Sequence, residues 1–218
     1  MCELYIITGS NGAGKSTVGP EYLPQYISKD NVVFDGDKLY MQKQRELWQS
    51  GMRAHKEAKK LAFAFVTETF DSLVENALST KSNFVYEGHF TNEATWDIPR
   101  KFKAAGYSIH LIFFGLTDTK LSELRVVARA QKGGHYVDPS TIADNFYGNL
   151  EKLNFHYNIF NSLQLVDTSE IEPRVLAIFL NGEVESAIEA ESLPKWFQTS
   201  LPDLTKKIRL GTNEGETL

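Results

Sequence analysis

The sequence predicts an α/β protein built as a three-layer sandwich, with a mostly parallel sheet between two layers of helices. Short apolar runs alternate with longer helical patterns from residue 3 to about 168, and such alternation favours a parallel sheet covered by helices. A glycine-rich segment follows the first apolar run, and acidic residues follow the second and third. Because ligands bind beyond the carboxyl ends of parallel strands, these positions predict one site at one edge of the sheet.

The predicted strands are short runs rich in β-branched and aromatic residues, bounded by glycine or polar residues. Five runs meet this description: residues 4–8, 31–34, 83–86, 108–116 and 163–166. A hairpin is predicted at residues 175–184, turning at Asn181-Gly182, because that dipeptide suits a tight hairpin turn.

Helices are predicted where apolar residues recur with a period near 3.6. They span residues 38 to about 79 with a break near 50–51, then 92–105, 119–131 and 139–160. Asp138 suits the N-cap of the last helix and Pro139 its first position, while Gly106 suits the end of the second. A further helix begins after the glycine-rich segment, and Pro20 and Pro24 are expected to shorten or kink it.

The length of 218 residues suits one domain over residues 1–218. Its core covers about residues 1–170, and residues 171–218 form a small appendage of hairpin and helix. Within the appendage, residues 193–208 show a mixed pattern interrupted by Pro202, and residues 211–218 form a polar tail expected to fray.

Composition and charge restrict the classes of function. The net charge is −5, whereas duplex nucleic acid binders usually carry a basic face, so we expect no broad contact with nucleic acid. The first apolar run is too short for a signal peptide, and no run approaches the roughly 18 apolar residues of a membrane span. Cys2 is the single cysteine, which fits a reducing compartment. We therefore expect a cytoplasmic protein without membrane contact.

The glycine-rich segment matches the phosphate-binding pattern G-x-x-x-x-G-K-[ST] at every fixed position. It follows a predicted strand and opens a predicted helix, so its backbone N–H groups can converge on an anion. Lys15 can then reach the β- and γ-phosphates, and the Ser16 hydroxyl can bind Mg²⁺. The alternative is a glycine-rich turn with an exposed lysine. The predicted nucleotide-binding residues are Gly9, Asn11, Gly12, Ala13, Gly14, Lys15, Ser16 and Thr17.

Carboxylates follow two further strands and are expected to share this edge with the phosphate-binding loop, or P-loop. A phosphoryl transferase needs a carboxylate to receive or orient the acceptor proton. We predict that Asp37 is this base and that Asp35 lies beside it at the same strand end. The alternative is that either aspartate caps the helix opening at Lys38; both roles hold together if Asp35 is the cap. Glu87 is expected to bind acceptor hydroxyls or to hold Mg²⁺ through water, unless it is a solvated strand-end acid. His89 fits a polar rim residue better than a metal ligand.

A cationic helix face precedes a flexible glycine pair. Arg125 and Arg129 stand four residues apart, Lys132 follows, and the chain continues with Gly133-Gly134-His135. Residues four apart share one helix face, and a basic face with a glycine end suits a lid that closes on a transferring phosphate. The alternative is an ordinary solvated basic face.

Together these residues resemble the zeta-toxin-like branch of P-loop kinases over about residues 3–170, which implies a P-loop NTPase fold. The resemblance rests on these segments: residues 7–17, Asp35-Gly36-Asp37, residues 84–88, Ala105-Gly106-Tyr107, Arg125-Val126 with Arg129, residues 133–135, and residues 166–169. It implies ATP or GTP with Mg²⁺, Asp37 as base, Glu87 as a substrate-contacting acid, and Arg125 and Arg129 as phosphate clamps.

The sequence departs from relatives in the helix after Gly-Gly-His. Relatives often carry an Arg-Tyr pair and a further arginine there, whereas this chain has Asn145, Phe146 and Gly148. His135 aligns with a lid arginine of the toxins and is a weaker, pH-dependent cation. These departures bear on lid activity and on toxicity more than on nucleotide binding.

The favoured hypothesis is a Mg-ATP-dependent kinase that phosphorylates a small hydroxyl-bearing acceptor, such as a sugar or nucleotide-sugar. In it Lys15, Asp37, Arg125 and Arg129 are catalytic, while Asp35, Glu87, His89 and His135 contact the acceptor. The alternatives are a nucleotide-binding regulatory module without transfer and a polynucleotide-end kinase. An antitoxin partner fits the family but no residue indicates one. The acceptor, the choice of base and the oligomeric state stay open.

Overall fold

A single seven-stranded sheet organises the protein. The computed structural model describes residues 2–214, and the strands follow the spatial order β2-β3-β1-β4-β5-β6-β7. Strands β1 to β5 pair in parallel and the last two add antiparallel, which confirms the mostly parallel sheet. The strands are β1 Glu3–Gly9, β2 Phe34–Asp35, β3 Phe84–Glu87, β4 Ser108–Gly115, β5 Ser162–Asp167, β6 Arg174–Leu180 and β7 Glu183–Ala187.

Helices cover the sheet and supply the outer layers of the sandwich. Their bounds are α1 Lys15–Val18, α2 Gln25–Asp30, α3 Gly36–Gln49, α4 His55–Thr80, α5 Asp97–Ala104, α6 Thr119–Gln131, α7 Pro139–His156, α8 Lys195–Ser200 and α9 Pro202–Glu214. No helix within residues 2–214 combines the length and the apolarity needed to cross a membrane.

The central strands β1 and β4 form the middle of the core. From Leu4 to Ile7 every side chain of β1 is buried, and Phe113 and Phe114 of β4 are fully buried beside them. Strands buried on both faces read as continuous apolar runs, which is why these two were recognisable in the sequence. Their carboxyl ends mark the point where the chain changes direction across the sheet, the usual place for a ligand.

The helix after the glycine-rich segment is shorter than an ordinary P-loop helix. It occupies only Lys15–Val18, and a 3-10 turn at Gly19–Tyr22 replaces its continuation, as the position of Pro20 predicts. One turn of helix carries few aligned peptide dipoles. An anion at this loop would therefore depend on local N–H groups and on Lys15 more than on a macrodipole.

The predicted second strand differs most from the structure. Residues 31–33 do not pair; only Phe34–Asp35 joins the sheet, beside β3. The Asn31 N–H and side chain both bond to the Ile27 carbonyl, so this residue ends α2, and Val32 is 92% exposed. The run gave a false strand signal because Val33 and Phe34 are apolar for packing against the core at the edge of the sheet, and not because residues 31–33 pair with a strand.

The remaining predicted helices agree with the structure apart from their ends. The break at residues 50–51 separates α3 from α4, with Gly51 at φ 96°. The helix predicted at 92–105 begins with a 3-10 turn, Glu93–Trp96, and the one predicted at 139–160 ends with another, Tyr157–Ile159. Asp138 caps α7 by accepting the Thr141 N–H at 3.0 Å.

The C-terminal residues add a hairpin and two helices. Asn181 and Gly182, both at positive φ, form the predicted turn between β6 and β7. Helix α9 continues to Glu214, so the tail predicted from residue 211 begins within a helix, and residues 215–218 lie outside the described residues. Trp196 of α8 reaches β4, where a Cβ at Gly115 would overlap its indole ring.

We predict that Gly115→Ala lowers the free energy of unfolding by about 1–3 kcal/mol, because the added methyl group overpacks the Trp196 contact. Gly211→Ala is the matched control. It adds a methyl group to exposed α9, 4.0 Å from Val184, and improves helix propensity. Urea unfolding checks both variants, and adding Trp196→Phe is expected to recover part of the loss. Equal stability of the two alanine variants would contradict the contact.

Candidate functional site

The P-loop, residues 9–16, connects β1 to α1 and requires glycine at three positions. Gly9, Gly12 and Gly14 have φ of 135°, 74° and 86°, a region that other residues adopt only at a cost. A Cβ at Gly9 would overlap the Phe114 carbonyl of β4, and one at Gly12 would lie 2.9 Å from Arg125 Cβ. The loop thus follows the neighbouring strand and helix at distances that no side chain allows.

Hydroxyl and amide groups from three distant elements hold the loop from behind. Ser122 Oγ of α6 donates to the Asn11 carbonyl at 2.5 Å. Thr168 Oγ1, just after β5, donates to the Ala13 carbonyl at 3.0 Å, and Asn145 Nδ2 of α7 donates to Asn11 Oδ1 at 2.8 Å. These bonds satisfy the buried inner side of the loop, which leaves its outer side for a ligand.

The Lys15 side chain is buried against the backbone of the P-loop. Its Nζ donates to the carbonyls of Gly9 at 2.9 Å and Ser10 at 3.0 Å, and it stands 3.9 Å from Glu87 Oε1. Burial lowers the pKa of Lys15, an effect that the Glu87 charge opposes. A desolvated ammonium group held by carbonyls and a carboxylate is ready to exchange one of these partners for a phosphate oxygen.

Glu87 ends β3 opposite the loop. Ser16 Oγ donates to Glu87 Oε2 at 2.7 Å. Burial raises the pKa of Glu87, while Lys15 and the Ser16 hydrogen bond oppose the rise. Glu87 therefore contacts two of the predicted nucleotide-binding residues, Lys15 and Ser16, in addition to its position at the end of β3.

The oxygen atoms here suit Mg²⁺. Mg²⁺ prefers hard oxygen ligands and retains several waters, so it commonly takes few protein ligands together with phosphate oxygens. Ser16 offers a hydroxyl at the loop. The carboxylates of Asp35 and Asp37 line the same cleft as Ser16. Residues 2–214 contain no cluster of three or more His, Cys, Asp or Glu able to hold a metal.

The first of two adjoining pockets lies over the P-loop and has a volume of about 500 Å³. We call it the nucleotide pocket. Arg125 crosses its base, donating to the Ser169 carbonyl at 2.9 Å and the Gly12 carbonyl at 3.5 Å, and Arg129 donates to the His135 carbonyl at 3.0 Å. Its lining residues are Gly12, Gly14, Lys15, Ser16, Thr17, Glu87, Arg125, Ala128, Arg129, Lys132 and Gly134.

The second pocket shares Glu87 with the first and has a volume of about 640 Å³; we call it the acceptor pocket because it holds residues that the sequence predicts to contact the acceptor. Asp35 accepts the Lys38 N–H at 2.9 Å and so caps α3, which leaves Asp37 in the first turn as the uncommitted acid. The lining residues are Asp35, Gly36, Asp37, Tyr40, Lys59, Lys60, Phe63, Val66, Glu87, Gly88, His89 and His135.

The two pockets bring together most of the residues that the sequence pointed to. Gly9, Asn11 and Ala13 do not line either pocket; the Asn11 and Ala13 side chains are buried, so these positions can offer a phosphate only backbone groups. Sequence reasoning missed Lys59 and Lys60 in the acceptor pocket, since charges on a long amphipathic helix carry no local signal of a ligand.

The residues that depart from the family pattern in α7 have structural roles of their own. Asn145 holds Asn11 of the P-loop, and Phe146 is buried in the core. A Cβ at Gly148 would lie 3.1 Å from Thr91 Cβ, so a larger residue here would press against Thr91. Here α7 supports the site instead of extending an arginine into it.

The fold and the loop geometry define a P-loop protein with the α/β arrangement of kinases. The sequence model of the Zeta toxin family matches residues 3–175, so the chain belongs to the Zeta toxin family. No curated protein sequence matches it.

Solved structures share the fold at low sequence identity. The complex of AvrRxo1-ORF1 and ORF2 with ATP matches with a TM-score of 0.64 and 14% identity, over 98% of this chain and 76% of that chain. The PezAT toxin-antitoxin system of Streptococcus pneumoniae matches with a TM-score of 0.58 and 20% identity, over 96% and 88%. The AvrRxo1 complex with sulphate ions matches at 0.61 and 16%, over 88% of this chain, which spans 62% of that one.

We predict that Thr168→Val weakens both the fold and nucleotide binding. The Thr168 hydroxyl is shared between the Ala13 and Gly115 carbonyls, and the Thr168 N–H also bonds to the Gly115 carbonyl. The substitution therefore deprives chiefly the buried Ala13 carbonyl of a donor, which is expected to cost about 1–3 kcal/mol and to loosen the P-loop. Urea unfolding and calorimetry with Mg-ATP check the two effects.

Thr205→Val is the matched control for this prediction. Thr205 is as buried as Thr168, at 4% exposure, but its hydroxyl donates to the Leu201 carbonyl, which the Thr205 N–H also satisfies. We expect a smaller loss of stability and unchanged affinity for Mg-ATP. The same fall in affinity in both variants would show that Thr168 has no special role at the loop.

Proposed function

We propose that this chain is a Mg-ATP-dependent phosphotransferase acting on a hydroxyl group of a small acceptor. The observation that carries the proposal is that Glu87 lines both the nucleotide pocket and the acceptor pocket. A phosphate above Lys15 and an acceptor beside Asp37 would therefore meet at one residue. Such proximity supplies much of the catalysis in phosphoryl transfer, since the protein contributes mainly position and charge.

Each charged side chain has a distinct role in this mechanism. Lys15 and Ser16 would hold the β- and γ-phosphates and Mg²⁺, which would supply positive charge to offset that of the phosphates. Arg125 and Arg129 line the nucleotide pocket, where they would stabilise negative charge on the transferring group. Asp37 receives the proton of the acceptor hydroxyl, and Glu87 and His135 contact the acceptor.

The acceptor pocket supports a sugar-like or nucleotide-sugar acceptor. Its volume of about 640 Å³ suits a small molecule, and Lys59 and Lys60 would favour an acidic substituent.

We also propose that residues 1–218 act as one unit, because β6 and β7 extend the sheet that carries the site.

A protein partner is a further proposal. The PezAT structure is of a toxin-antitoxin system, and AvrRxo1-ORF1 is in complex with ORF2. Co-purification of this chain with the product of a neighbouring gene, followed by an assay of phosphotransfer with and without it, tests whether such a partner blocks the site.

The experiment that tests the function is an ATP-consumption screen over nucleotide-sugars, sugars, nucleosides and small alcohols. ADP formation that depends on one acceptor class supports the kinase. Tight Mg-ATP binding without ADP formation over the whole panel favours a regulatory module, and strong salt-dependent binding of oligonucleotides favours a polynucleotide-end kinase.

We predict that Asp37→Asn lowers kcat for phosphotransfer about 10²- to 10⁴-fold, because the acceptor proton loses its base, while affinity for Mg-ATP stays unchanged. Lys15→Ala is expected to abolish both transfer and tight nucleotide binding. Calorimetry and ADP formation separate the two results. Asp71→Asn, on an exposed part of α4, serves as the control, and full transfer activity in Asp37→Asn would refute the assignment.

A further inference from the structure

Asn149, in the middle of α7, has an amide group whose orientation the backbone fixes. The residue is buried, and its Nδ2 lies 2.6 Å from the Asn145 carbonyl, which can only accept. Its Oδ1 lies 2.5 Å from the Phe90 N–H, which can only donate. The two contacts determine which end of the amide is nitrogen, without reference to any other side chain.

This orientation determines the tautomer of His89. The remaining contact of Asn149 Nδ2 is with His89 Nδ1, at 3.1 Å. The amide nitrogen donates and cannot accept, so Nδ1 must accept and bears no proton. Burial, together with the positive charge of Lys15, holds the pKa of His89 well below its usual range. The neutral ring therefore carries its proton on Nε2.

His89 stands in the wall of the acceptor pocket with Asp37 and Glu87. The two carboxylates accept hydrogen bonds, and Lys59 and Lys60 are flexible cations that attract any anion. With Nδ1 occupied, the polar group that His89 can offer a ligand is Nε2–H. It is a neutral donor on a ring whose other nitrogen is held in place.

We propose that His89 determines specificity in the acceptor pocket by donating from Nε2 to an oxygen of the acceptor, with Asn149 as its positioning residue. The acceptor class is then a polyol or hydroxy-carbonyl compound: one hydroxyl donates to Asp37 and reacts, and a second oxygen receives the His89 proton. A compound without that second oxygen leaves a donor unpaired and is disfavoured. This inference rests on the proposed function and adds to it the chemistry of the acceptor.

Nitrogen NMR of the full-length protein reads the tautomer directly. Long-range ¹H–¹⁵N correlation spectra of uniformly ¹⁵N-labelled protein at pH 7 are expected to include the signal of a histidine with a protonated Nε2 and an unprotonated Nδ1 that comes from His89. That signal disappears in His89→Gln, which assigns it. A protonated Nδ1 on His89, in the neutral or the charged ring, would overturn the inference.

Two substitutions, His89→Gln and His89→Met, test the specificity role. The acceptors are those compounds that the wild-type protein phosphorylates in a panel of nucleotide-sugars, sugars, nucleosides and small alcohols. Gln retains a group that accepts from Asn149 and one that donates to the pocket, whereas Met has neither. We expect kcat/KM for the acceptor to fall roughly 3- to 10-fold in His89→Met and to fall less in His89→Gln. Affinity for Mg-ATP is expected to be unchanged in both.

His55→Met is the control, because His55 is exposed at the start of α4 and lies outside the acceptor pocket. Equal kcat/KM for wild type and His89→Met would overturn the specificity role. If the wild-type protein phosphorylates no compound of the panel, the proposed function fails and the substrate role of His89 fails with it. The NMR result distinguishes this failure from a wrong tautomer, since it requires no acceptor.

Discussion

The attachment of the P-loop to the elements behind it is the constraint on which the candidate site depends. Ser122, Asn145 and Thr168 bond to the inner side of the loop, and Gly9 lets it follow β4 without a side chain between them. With α1 reduced to a single turn, these contacts take over part of what a long helix would contribute. The loop is thereby shaped before any ligand binds, which reduces the entropy lost on binding.

Local sequence was sufficient for most of the fold and for the identity of the P-loop. The apolar runs of β1 and β4 are buried on both faces, and the glycine pattern encodes backbone angles that few other residues adopt. Pro20 ended the first helix through its own covalent geometry. In each case the cause lies within a few residues of its effect, so a reader of the sequence can find it.

The rest of the site depends on contacts between residues far apart in the chain. The partners of the loop come from 111, 134 and 155 residues away, a separation that periodicity and motif spacing do not register. The strand prediction for residues 31–33 was wrong for the opposite reason. The short apolar run gave a local strand signal, whereas only Phe34–Asp35 pairs, at the edge of the sheet. Asn145 was seen only as a departure from the family, whereas its amide holds the loop in place.

Helix α7 carries two amides one turn apart that contact different parts of the site. Asn145 contacts Asn11 of the P-loop, while Asn149 contacts His89, and the Asn149 amide also bonds to the Asn145 carbonyl. The contact with the P-loop and the contact with His89 therefore involve the same turn of α7. Any coupling free energy transmitted this way is reciprocal: as much as nucleotide favours the second substrate, that substrate must favour nucleotide.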